Sequence, residues 1–91
     1  MSKNLNSTDR EPFGAYLSDE ETASILTPIV HGIGWSASNI HQGGIANAVR
    51  SLGIMSSPEF LIVDMSDSVD MLGDLNALAE VCESGTIVLA L

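Results

Sequence analysis

The sequence predicts an α/β domain built on an open parallel sheet, and three observations carry that prediction. The apolar runs in "EFLIVD" (59–64) and "TIVLAL" (86–91) are continuous rather than alternating, which marks strands covered on both faces. Segments of helical periodicity fall between the strand-like ones, so the order reads β-α-β-α-β-α-β. The connections are short, and right-handed crossovers then place helices on both sides of the sheet.

The chain has 91 residues, the size of one small domain. Residues 1–11 are polar and without periodicity and read as a flexible leader, with the α/β domain spanning 12–91. "PFGAYL" (12–17) is the first strand. "SDEE" follows, with Ser18 as helix N-cap, Glu21 completing a capping box, and Asp19 and Glu20 at the positive end of the helix dipole. The first helix is expected from Asp19 to about His31, burying Ala23, Leu26, Ile29 and Val30. Pro28 predicts a kink or split within it, and Gly32 and Gly34 end it.

"SASNIHQ" (36–42) allows a short second strand, and Gly43-Gly44 turns the chain into a second helix. That helix is apolar at Ile45, Ala48, Val49 and Leu52 and stops at Gly53. After the turn at "SSP" comes the strongest strand, "EFLIVD". A third helix, about Met71 to Glu83, should turn Leu72, Leu75, Leu78, Ala79 and Cys82 inward. "TIVLAL" then forms a buried last strand. With no helix after that strand, the expected object is the front part of a larger α/β domain, or one completed by a partner.

The formal net charge is −9, from 12 acidic and 3 basic residues, and every formal charge after Arg50 is negative. Such a surface repels nucleic-acid backbones and anionic lipid. The first residues contain no apolar signal core, and no apolar run approaches the ~18 residues of a membrane span. A single cysteine, Cys82, forms no internal disulfide and sits at a core spacing. These features together predict a cytoplasmic domain.

In an open parallel sheet, ligands sit beyond the carboxyl ends of the strands. Asp19, Glu20 and Asp64 fall there and are candidate ligands for a magnesium ion, with Asp64 the candidate phosphoacceptor. Each also has a structural use. Asp19 and Glu20 suit a helix N-terminus, and Asp64 can bond nearby backbone N–H groups, which is the favoured reading on spacing alone. Gly43-Gly44 precedes a helix, but no phosphate-loop or dinucleotide fingerprint is present. His31 and His41 lack zinc-ligand spacing with Cys82, and His31 suits a helix C-terminus. Trp35 reads as a core or partner-facing anchor, with the core favoured. Met65 and Met71 flank the Asp64 loop as a soft apolar patch. No catalytic residue set and no bound cofactor are expected, magnesium excepted if Asp64 accepts phosphate.

"GGIANAV", "SPEFLIVD" and "LAEVCESGT" resemble the N-terminal region of the CpaE/TadZ proteins of Flp (Tad) pilus assembly, over about Phe13 to Leu91. The resemblance implies a CheY-like (flavodoxin-like) receiver fold, which in that family precedes a P-loop ATPase domain. No such ATPase sequence is present here, so no enzymatic activity is expected. It also implies a role in localising the pilus machinery at the cell pole and assembling it, through protein–protein contacts or self-association. Asp64 matches the receiver phosphoacceptor, and Asp19 and Glu20 resemble the acidic pair that holds magnesium. The hydroxyl residue of the fourth strand and the lysine of the fifth are not found. The resemblance therefore implies a degenerate, non-catalytic receiver; the alternative is a two-component phosphoacceptor using Asp64 and magnesium.

Overall fold

The computed structural model describes residues 11–66 and 68–91, so the expected leader, apart from Glu11, lies outside the described residues. Glu11 itself is tied to the sheet. Its carbonyl accepts from the Glu59 amide at 2.8 Å and its carboxylate from Asn39 Nδ2 at 3.0 Å.

The elements follow the expected order. They are β1 (Phe13–Leu17), α1 (Glu20–Ile33), a 3₁₀ turn (Ala37–Asn39), β2 (Ile40–Gln42), α2 (Ile45–Leu52), β3 (Phe60–Val63), α3 (Met71–Val81) and β4 (Ile87–Ala90). The strands form one parallel sheet in the order β2-β1-β3-β4. This is the start of the 2-1-3-4-5 order of flavodoxin-like and CheY-like folds.

The sheet separates two apolar clusters. On one face Phe13, Ala15, Leu17 and Ile62 meet Val30 of α1, with Ala23, Leu26, Trp35 and Phe60 packed around them. On the other, Tyr16, Leu61 and Val63 meet Ile45, Ala48 and Leu52 of α2 and Leu78 of α3. β1 and β3 alternate between these faces and are buried on both, as a parallel sheet requires. Full burial of a side chain such as Leu61 or Val63 is worth about 1.5–3 kcal/mol, so the central pair anchors the fold.

Several expectations are corrected. Asp19, not Ser18, caps α1: its side chain accepts from the Glu21 amide, and Ser18 is engaged elsewhere. Pro28 does not split α1, which runs continuously for 14 residues and ends at Gly34. Gly34 has φ +97°, a left-handed conformation that glycine adopts without steric cost. Ile29 is exposed because α1 has a single neighbour layer and only one side of the helix meets it. Leu72 and Ala79 are also exposed, since α3 buries mainly Leu78. The strand expected over 36–42 is shortened by the 3₁₀ turn, where the Ser36 side chain accepts from the Ser38 amide.

The largest departure is β4. Its apolar run was expected to be covered on both faces, yet Ile87, Val88 and Leu89 are 63%, 39% and 46% exposed. β4 pairs with β3 along one edge, and neither α1, over β1 and β2, nor the α2–α3 pair covers it closely.

Candidate functional site

The carboxyl ends of β1 and β3 lie side by side, because Tyr16 pairs with Val63 and the Asp64 amide donates to the Tyr16 carbonyl at 2.9 Å. This register brings Ser18 and Asp64 together. The Asp64 Oδ2 atom accepts from the Ser18 amide at 3.2 Å and from Ser18 Oγ at 2.9 Å. The Oδ1 atom accepts from the Ser66 amide at 2.9 Å, and the two serine hydroxyls are 3.0 Å apart. Asp64 is buried, and its carbonyl accepts from the Ile45 amide at the start of α2.

The Ser66 backbone N–H holds the Asp64 carboxyl below the usual value of 3.8. Burial opposes that shift, and the Ser66 and Ser18 hydroxyls and the Ser18 amide reinforce it. Asp64 is therefore ionised at neutral pH, and its carboxylate accepts from the Ser18 amide and hydroxyl and from the Ser66 amide, donors on two segments.

Asp19 and Glu20 share the rim but not this network. Asp19 serves its own helix, Oδ1 accepting from the Glu21 amide at 3.1 Å and Oδ2 from Thr22 Oγ1 at 3.0 Å. Glu20 lies exposed in the first turn of α1. Both border a hollow of about 200 Å³ together with Ser18, His41 and Gln42. Among the described residues, no three His, Cys, Asp or Glu side chains are grouped so that they could hold a metal ion.

Gly43 closes the rim beside β2. Its φ is +98°, its amide donates to the Leu17 carbonyl at 2.8 Å, and an added Cβ would lie 2.9 Å from Asn47 Cβ. The turn thus serves backbone geometry. His41, which carried no assignment in the sequence, stacks on Tyr16 with ring centroids 4.8 Å apart. The Tyr16 hydroxyl is pushed up by burial, with a Ser51 hydrogen bond opposing. Trp35 stacks on Phe13 at 4.8 Å and leans on Phe60, as a core anchor should. Cys82 is half-buried and packs against the α2–α3 cluster. The Ser18–Asp64–Ser66 network was the feature missed in the sequence. Its signal was present as a hydroxyl residue just beyond each of two neighbouring strands.

An open parallel α/β sheet with an acidic residue at the end of β3 is compatible with the CheY-like class. Within it, the structure matches solved CpaE pilus assembly proteins. It is similar to the crystal structure of pilus assembly protein CpaE from Caulobacter crescentus CB15, at 25% identity and a TM-score of 0.73. That match covers 86% of this chain and 66% of the other. It is also similar in fold to a CpaE2 pilus assembly protein from Sinorhizobium meliloti 1021, at 20% identity and a TM-score of 0.71, with the same coverage. The chain thus spans just under two thirds of the length of these structures. No protein-family model matches the sequence, and no curated protein matches it. No helix among the described residues is long and apolar enough to cross a membrane.

Proposed function

We propose that this chain is a non-catalytic, receiver-like module of a CpaE/TadZ-type protein. On this reading it acts in localisation and assembly of Flp/Tad pili, in the cytoplasm at the cell pole, through protein–protein contacts. The observation that supports it best is the fold match to CpaE over 86% of the chain. The state of Asp64 supports the non-catalytic part. Both carboxylate oxygens already accept hydrogen bonds, and phosphorylation at Oδ2 would break the Ser18 contacts that link the β1 and β3 ends.

The test is genetic. Removing this coding segment from its source bacterium should abolish surface pili, and both the wild-type sequence and Asp64→Asn should restore them. Undiminished piliation after removal would overturn the pilus reading. The second reading, a phosphoacceptor receiver, is favoured by an ionised Asp64 at the carboxyl end of β3. It predicts failure of Asp64→Asn in the same cells. It also predicts amide shifts around Asp64 on adding magnesium with beryllofluoride, a phosphoryl mimic; the non-catalytic reading expects neither.

A further inference from the structure

Toward the edge of the sheet opposite β4, on the α2 face, lies a second hollow, of about 300 Å³, and β1 explains why it is there. Tyr16 packs with α2, so Gly14, two residues earlier on the same strand, faces the same way. With no side chain at Gly14, the sheet is bare at that point. A glycine inside a strand often marks a place where other groups come close to the backbone. Pro58 does so here: a Cβ added to Gly14 would lie 3.1 Å from Pro58 Cγ. Leu52 at the end of α2 and Met55 after it line the hollow with Pro58, as do the stacked rings of Tyr16 and His41. These walls come from β1, β2, α2 and the turn into β3, and none comes from α3 or β4.

The polar groups are few and favour one sign of charge. Glu11 and Asn39 border the hollow, and Asn39 Nδ2 donates to Glu11 Oε1 at 3.0 Å. A carboxylate has about four acceptor sites, so one amide bond positions it without exhausting it. Arg50, the only Lys or Arg among the described residues, does not line the hollow. An anion there would meet Glu11 and a net charge of −9 with no counter-charge beside it, whereas a cation is drawn in. The volume is at the small end for ligand cavities, room for one ring and a short chain.

We propose that this hollow binds a small aromatic amine. Its ring lies against Gly14, Leu52, Met55 and Pro58, and its ammonium group pairs with the Glu11 carboxylate. Because Asn39 already holds that carboxylate, little ordering is left to be done on binding.

The experiment titrates the nitrogen-15-labelled full chain at neutral pH and follows its amide shifts. The probes are phenethylamine, phenylpropionate (a similar ring and chain ending in an anion) and ethylamine (the cation without the ring). Phenethylamine should shift the Gly14, His41, Met55 and Ser56 amides saturably, and the other two should each bind at least fivefold more weakly. Glu11→Gln keeps an oxygen to accept from Asn39 but loses the charge, so it should weaken phenethylamine at least threefold. Met55→Ala, at a position 48% exposed, should weaken it similarly through lost apolar contact. Glu80→Gln, which removes the same charge from an exposed position on α3, should change nothing. That control separates a paired carboxylate from diffuse attraction by an acidic protein. Absent shifts at those amides overturn the proposal, as does phenylpropionate or ethylamine binding as well as phenethylamine. So does amine binding that ignores Glu11→Gln, or that Glu80→Gln weakens equally.

Discussion

Asp64 joins two strand ends with one carboxylate, and the consequences are measurable. Its oxygens collect the Ser18 amide and hydroxyl and the Ser66 amide. Asp64→Ala leaves those donors unmet and should cost about 2–3 kcal/mol in denaturant unfolding, with Ser18→Ala costing about 1 kcal/mol. The pH dependence follows from the direction of the shift. A carboxyl held below its usual 3.8 in the folded state stabilises the fold fully above that value. The contribution is lost as pH falls through the lower folded value. The stability gap between wild type and Asp64→Ala should therefore be constant near neutrality and shrink below about pH 4. In the sequence, Asp64 was legible as a polar strand terminus bonded to backbone, but its partners were not. Ser18 stood one residue before an acidic stretch and looked like a cap. Only the β1–β3 register shows that it faces Asp64, and register is a non-local property.

At the scale of elements, periodicity located the three α-helices of the described residues, while their exposed faces depended on what lay opposite. α1 keeps Pro28 inside an unbroken helix, where the residue removes one backbone donor. Because Pro28 is exposed, Pro28→Ala loses no packing and should stabilise the protein by about 1–2 kcal/mol, raising the thermal midpoint by at least roughly 4 °C. Gly43→Ala should act the other way. The backbone there has φ +98° and the Asn47 side chain occupies the space, so a loss of at least about 1 kcal/mol is expected in the same assay. Continuous apolar runs identified both β3 and β4 as strands. They did not distinguish a strand with cover from one without, since the same residues suit either until the neighbours are counted. Ile29 and Leu72 misled for the same reason: helical spacing names an apolar stripe, not the surface that meets it.

Across the whole molecule, charge and sheet order make two further expectations. A chain of net charge −9 repels itself when compact, so the thermal midpoint should rise between 10 mM and 150 mM sodium chloride. β1 and β3 lie inside the sheet and are buried, whereas β4 has one paired edge and bare faces. Amide hydrogen exchange should therefore be slowest at Leu61–Val63 and Ala15–Leu17 and clearly faster along β4. Fold class was readable from element order because parallel strands linked by helices admit few topologies. The exposure of β4 was not, because cover depends on neighbouring elements that the strand's own residues do not name.

β4 is bare along its length yet tethered at both ends. At its start, Thr86 Oγ1 lies 2.8 Å from the buried Ser57 hydroxyl and donates to the Pro58 carbonyl at 2.8 Å, while the Ile87 amide reaches Glu59. Beyond its other end, the Leu91 amide donates to Val63 and the Leu91 carbonyl accepts from Met65. A strand held in this way has already given up its backbone conformational entropy on folding, of the order of 1–2 kcal/mol per residue. Whatever lies against it docks on a preorganised surface, and little of the interaction free energy is spent on ordering.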